Sequence, residues 1–418
     1  MEQYLFQLLE HSPHLSEICF KYISYEGLTH ITASHCASLL QLIQTKVDPK
    51  PLGVLLLLCR ACPNLRSFSL YSNGTILNGD GIIQTIAQYC PLIQHLSTER
   101  RSITNVGMDA LATIHTLTCL ELSPGFTSAA VQRVLESNPY IERMDLRGFF
   151  IDDALIRCIG RISGNLRSLR LFKHKSTALC FYMLLELFRA CPLLQVFMLS
   201  QSVWNSTATL RALFEHCPNL AELGLYSGPL PGGTLVAGHV LHSYYPSLKR
   251  LWVTCEGATG GALRDIFTYC TNLQVVQLVS YAYVTDDSIR VLTRHCHMVD
   301  TLHLEDCKNV SIAGLLELAI HCTSLKHLRV SGMLVNDQVL LQVSLNCTSL
   351  SSLHLFRCKG RLITETGILA VVEACTGLTS ISITGPTAQS LLSALILTHL
   401  IRRRITSTPC EALVRLRK

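Results

Sequence analysis

Residues 270–307, CTNLQVVQLVSYAYVTDDSIRVLTRHC followed by HMVDTLHLEDC, decide the fold. The stretch reads as one complete structural unit and the opening of the next. Leu273, Val276 and Leu278 suit a short strand, because side chains two apart share one face of the pleat. Thr285 and Asp286 follow a turn, and both are types that accept hydrogen bonds from the free N–H groups of a helix start. Ile289, Leu292 and Cys296 then recur at offsets of three and four, on one helical face. A single unit of this kind has one apolar edge that it cannot bury. Stacked copies bury it, which predicts a solenoid.

Outward from this stretch the same spacing continues in both directions. The first apolar residue of each strand segment falls at Leu15, Leu39, Leu65, Ile93, Leu117, Ile141, Leu166, Leu194, Leu220, Leu248, Leu273, Val299, Leu325, Leu350 and Leu378. Those are about fifteen units with a period of roughly 26 residues, within the span of leucine-rich repeats. The helical half repeats as an apolar pair and a cysteine, for instance Ile83, Ile86 and Cys90, or Leu340, Val343 and Cys347. The expected fold is α/β: a leucine-rich-repeat solenoid, or horseshoe, with a parallel β-sheet on its concave face and helices on its convex face. The register resumes on both sides of VDPKPLG (47–53) and of the Gly- and Pro-rich stretch 227–239, which predicts one solenoid over residues 1–401. A helix over 387–401 is expected to close it, and residues 402–418 form a basic tail. At the other end a helix-like segment, Tyr4 to Glu10, opens the chain with no polar cap, which suggests a preceding segment absent from this chain.

Composition narrows the function. With 49% hydrophobic and 15% charged residues the chain is built to bury a core and not to remain disordered. The net charge of +6 is spread out rather than clustered, which argues against a nucleic-acid partner. The N-terminus has no secretory pattern, and the greasiest run, from Leu391, is too short to cross a bilayer. No membrane partner is expected, and a cytoplasmic or nuclear location follows from reading the 19 cysteines as reduced. Ten of them (Cys36, Cys62, Cys90, Cys191, Cys217, Cys270, Cys296, Cys322, Cys347 and Cys375) stand three residues before a strand segment, where stacked units leave no room for systematic pairing.

The phrases CPNLRSFSL, CPNLAELGL, CTNLQVVQL and CTSLKHLRV, followed by VTDDSIRVL, VNDQVLLQV or ITETGILAV, resemble the cysteine-containing class of leucine-rich repeat. The fuller form adds a second cysteine after the strand, as in Cys296 with Cys307 and Cys347 with Cys358. That class resembles the F-box/leucine-rich-repeat family within the ribonuclease-inhibitor-like superfamily. The resemblance implies a substrate-recognition component of a cullin-RING ubiquitin ligase, non-enzymatic, which binds its client on the concave face. It also implies a cullin-ligase adaptor, docked through a helical F-box module that is not recognisable before Leu15 and is here missing or diverged. The alternative is a non-catalytic scaffold or inhibitor-like binder unrelated to ubiquitination. Either way a monomer within a hetero-complex is expected.

Chemistry is scarce. Cys59 with Cys62, and the His–Cys neighbours at 216–217, 295–297 and 321–322, carry zinc-ligand residue types. Their cysteines fill the repeat's structural slot, so neither a metal nor a nucleophile is expected there. Gly257 to Gly261 lacks the Lys and Ser/Thr of a phosphate loop. No cofactor is expected. What remains is the outward face of the strands, where Arg170, Phe172, Tyr226, Arg250, Trp252, His303, His327, Arg329, His354 and Phe356 form the candidate partner-binding stripe. Aromatic and Arg residues concentrate binding energy at interfaces, and Arg forks suit an acidic or phosphorylated client. The bland reading of the same residues is an ordinary solvated sheet face.

Overall fold

Fifteen strands of the computed structural model begin two residues after the fifteen counted positions, from β1 (Glu17–Phe20) to β15 (Ser380–Thr384). The structure describes residues 17–20, 41–44, 59, 62–70, 79–98, 103–122, 125–147, 152–162, 164–172, 181–200, 207–227, 244–255, 260–279, 284–358, 363–384 and 406–407. The expected helices at Tyr4–Glu10 and 387–401, the loop residues 47–53 and 228–239, and Cys36 lie outside them.

The two-residue offset corrects the reading of Leu273 as part of a strand, since β11 is Val275–Val279. From Leu65 onward the counted residues sit just ahead of each strand, where the chain turns. The described ones are buried there, and several of their N–H groups bond back to the cysteine carbonyl, as in Leu65 to Cys62 at 3.2 Å and Leu350 to Cys347 at 3.1 Å. The spacing of three from Leu273 to Val276 is the mark of that turn.

The chain forms two compact units, Met1–Ser200 and Gln201–Lys418. In the first, β1, β2 (Gln41–Gln44), β3 (Ser67–Leu70), β4 (His95–Thr98), β5 (Cys119–Leu122), β6 (Arg143–Arg147), β7 (Ser168–Phe172) and β8 (Val196–Ser200) pair in chain order, all parallel. Its described helices are α1 (Gly79–Tyr89), α2 (Asn105–Leu111), α3 (Ser128–Ser137), α4 (Asp153–Ile162) and α5 (Phe181–Ala190). The second unit pairs β9 (Glu222–Ser227), β10 (Arg250–Cys255), β11, β12 (Thr301–Glu305), β13 (His327–Ser331), β14 (Ser352–Phe356), β15 and β16 (Thr406–Ser407) in the same way. Strand β16 lies within the stretch read as a basic tail. The described helices here are α6 (Thr207–His216), α7 (Gly260–Tyr269), α8 (Asp286–His295), α9 (Ile312–His321), α10 (Asp337–Asn346) and α11 (Glu365–Ala374). Thr285 caps α8 as read from sequence, its hydroxyl accepting from the Ser288 N–H.

Each described helical trio, such as Ile289, Leu292 and Cys296, is buried, and so are the inward strand positions such as Val276 and Leu278. This makes one leucine-rich-repeat core per unit, in which each repeat covers the edge of its neighbour. Fourteen cysteines, those whose side chains are described, are reduced and buried. They do more than fill space. The Cys296 thiol donates to the carbonyls of Phe267 and Cys270 at 3.3 and 3.5 Å, and Cys347 to those of Cys322 and Ala319 at 3.4 and 3.6 Å. Each thiol thereby meets carbonyls that the preceding helix leaves without an intrahelical donor. Asn138 occupies this slot ahead of β6 and uses an amide instead, donating to Ile114 of the preceding repeat at 2.7 Å and to Val134 of its own helix at 2.9 Å. Burial pushes the Cys296 and Cys322 thiols up to about 12, so they remain protonated donors.

Candidate functional site

The parallel register in the second unit is one-to-one, so alternate residues line up in rows across the strands. The middle row runs Gly224, Trp252, Gln277, His303, Arg329, His354, Ser382. One side row runs Glu222, Arg250, Val275, Thr301, His327, Ser352, Ser380, and the other Tyr226, Thr254, Val279, Glu305, Ser331, Phe356, Thr384. The residues between them, such as Leu251, Leu302 and Leu328, are buried against the helices. A rigid core thus holds the rows in fixed positions.

Eight of the ten stripe residues share this sheet; Arg170 and Phe172 stand on β7 of the other unit. Trp252 is half-buried, with Gly224 on one side and Gln277 on the other. Arg250 forms an ion pair with Glu222, its register neighbour on β9. Three strand intervals separate Trp252 from Arg329, about 14 Å, so one small group cannot engage both. The later strands form a closer cluster. The Arg329 guanidinium lies 4.7 Å from the Phe356 ring centroid, a cation–π contact, and His354 stacks on Phe356 at 5.8 Å and 13°. His327 Nδ1 meets the Ser352 hydroxyl at 3.0 Å.

Arg329 is exposed and, among the described residues, has no ion-pair partner. Burial, then the positive field of Arg329, lowers the pKa of His303 and of His354. His354 Nδ1 is buried without a hydrogen-bond partner. The arrangement sets one guanidinium between two imidazoles whose protonation its charge disfavours.

A cluster in the first unit went unnoticed in the sequence. His95, Cys119 and Glu121 bring three donor atoms within 4.8 Å of one another across β4 and β5. The signal was there, since His95 and Cys119 are register neighbours one period apart. Yet burial pushes the Cys119 thiol up to about 11, Arg143 stands beside it, and Glu121 already accepts from the Ser97 hydroxyl at 2.7 Å. A cation there would have to displace a firmly held proton next to a guanidinium, so the donor set does not fit a metal well. On the strands of this first unit Met198 and Asp145 are buried.

No protein-family model matches the chain. Over 133 residues, 31% of its length, it is 32% identical to F-box/LRR-repeat protein 4 of Bos taurus, of which the match spans 21%. The chain therefore covers about a fifth of that relative. The structure of Rad7 in the yeast Rad7–Elc1 complex aligns over 98% of this chain and 84% of that one, with a TM-score of 0.50 and 14% identity, a likeness of fold. The fold is that of the leucine-rich-repeat solenoids, and the likeness to an F-box/LRR-repeat protein is confined to those 133 residues.

Proposed function

We propose that this chain, an array of F-box/LRR-type repeats, is the client-recognition part of a cullin-RING ubiquitin ligase, and that the strand rows of the unit Gln201–Lys418 receive the client. The observation that carries the reading is the half-buried Trp252 with the Arg329–Phe356–His354 cluster, all on one rigid sheet. Large aromatic and Arg side chains fixed by a core lose little freedom on binding and act as anchors. The partial likeness to an F-box/LRR-repeat protein supports the ligase setting.

Two measurements test this. Clients are first identified by proximity labelling, then captured with purified chain. Trp252→Ala combined with Arg250→Ala should weaken capture about tenfold or more while the fold stays intact, since neither residue is in the core. Unchanged capture refutes the strand face as the docking surface. Purified cullin-ligase adaptor should form a complex with the full-length protein; client capture without adaptor binding places the protein among binding scaffolds outside ubiquitination.

A further inference from the structure

We propose that Arg329, flanked by His303 on β12 and His354 on β14, seats a phosphomonoester carried on a client peptide, and that docking of the phosphate draws protons onto the two imidazoles. The proposal rests on the reading of this face as the client surface and names the chemistry it selects.

The argument begins with which arginine is available. Arg250 is occupied by Glu222, whereas Arg329 has no such partner among the described residues and is oriented by Phe356 beneath it. The register places His303 and His354 on either side of Arg329, each one strand away, about 5 Å. His327 lies two residues along the same strand, at Ser352. The other groups that face the rings are few. Strand β12 adds Thr301 and Glu305, and β11 and β15 offer only Val275, Gln277, Val279, Ser380, Ser382 and Thr384. Asp306 and Arg357 follow the ends of β12 and β14. Glu305 is the one carboxylate on the rows of β11 to β15, and its register neighbours are Val279 and Ser331 rather than Arg329.

Donor count decides the ligand. A guanidinium fork stands between two imidazoles, one on each neighbouring strand, so an anion with acceptors and charge beyond those of a carboxylate paired with the fork suits the row better. A phosphomonoester offers three strong acceptor oxygens and a charge of about −1.5 to −2. The extra charge also matters, because both rings resist protonation next to Arg329 while the site is empty. His354 has a further reason, its Nδ1 being buried without a partner. A dianion over Arg329 offsets the field that keeps them neutral.

The test uses the full chain and an immobilised peptide library with a fixed phosphoserine and degenerate flanks. Matched libraries carry serine or glutamate at that position, and inorganic phosphate serves as competitor. Phosphoserine should be captured roughly tenfold better than either, and tightening should reach about threefold between pH 7.5 and 6.5, where the phosphate keeps most of its second charge. Arg329→Gln should abolish the preference, and His303→Gln with His354→Gln should remove the pH dependence while retaining part of the affinity. Equal capture of the three libraries overturns the proposal, as does a preference that survives Arg329→Gln. A phosphate preference without pH dependence overturns the protonation step. The client-capture assay with Trp252→Ala and Arg250→Ala is read separately, so failure here leaves the client surface standing, and failure there is not mistaken for loss of the phosphate seat.

Discussion

Asp286 in the first turn of α8 holds Ser311, the N-cap of α9, with both carboxylate oxygens: Oδ1 accepts from the Ser311 backbone N–H at 2.8 Å and Oδ2 from its hydroxyl at 2.6 Å. Asp80 grips Thr104 in the same way at 2.7 and 2.6 Å, and Asp337 accepts from the Thr364 N–H at 2.7 Å. The third residue beyond each cap is glycine (Gly107, Gly314, Gly367), and a Cβ there would overlap the aspartate. Acidic groups at helix starts and charge-assisted bonds are both favourable, so each of these three aspartates ties its helix start to the next repeat.

Gly314→Ala, which in an ordinary helix stabilises by up to about 1 kcal/mol, is therefore expected to destabilise by roughly 1 to 3 kcal/mol. Faster hydrogen exchange at the start of α9 is the local readout. Combining it with Asp286→Ala should recover part of the loss, though Val310 still crowds the new methyl. If the single and double variants exchange alike, the aspartate does not impose the glycine.

The buried thiols make a second expectation. Fourteen described cysteines are buried, and those with thiols pushed up to about 12, such as Cys191, Cys296 and Cys347, hold no thiolate at pH 8. Alkylation of native protein should leave them unmodified in a peptide map, and denaturant should expose all of them. Cys296→Ala should cost about 1 to 2 kcal/mol, from the lost contacts and the lost donor to Phe267 and Cys270. Rapid labelling of Cys296 in the native state would contradict the structure.

How much of this was legible follows from the period. A repeat of about 26 residues gives the phase of each strand and helix, and the buried stripes fell where the leucines and cysteines indicated. It misplaced only the strand starts, because an apolar residue in a turn looks like one in a strand until the backbone bonds are seen. The site was half legible. Outward-facing residues follow from alternation within one strand, but pairing of Arg250 with Glu222, or of Arg329 with its histidines, is a relation between residues one period apart. Superposing the repeats in the sequence would have set Glu222 beside Arg250, and Asp286 beside Ser311. Burial of Trp252 and the cation–π contact of Arg329 depend on neighbouring side chains, which no spacing encodes.

Backbone conformation after the strands yields a third prediction. Asp306 (φ 53°), Gly332 (φ 69°) and Arg357 (φ 48°) occupy equivalent places and share a left-handed turn. Their N–H groups bond to the next repeat, Arg357 to the Thr384 carbonyl at 2.9 Å and Gly332 to that of Phe356 at 2.9 Å. An L side chain is costly there by about 1 to 2 kcal/mol. The exposed Arg357→Gly should therefore stabilise by up to about 1 kcal/mol, and Gly332→Ala should destabilise, since its methyl would also strike the Asp306 carboxylate. Thermal midpoints of the two variants should move in opposite directions; movement in the same direction refutes the shared turn.

The histidines set the sign of the pH response in the absence of client. His303 and His354 have folded-state pKa values lowered by burial and by Arg329, so in the relevant window the unfolded chain binds more protons than the folded one. Their contribution is fully present above the ordinary histidine value of about 6.5 and is lost as the pH falls from there through the folded-state values. The denaturant midpoint should thus drop between pH 7 and 5, and His303→Gln or His354→Gln should flatten that slope. A phosphate on Arg329 reverses the local field, so phosphopeptide should protect the midpoint more at pH 6.5 than at pH 7.5 and should do so only with both rings present. Slopes equal in wild type and variants would show that these rings do not couple to folding, and equal protection at the two pH values would separate anion binding from proton uptake.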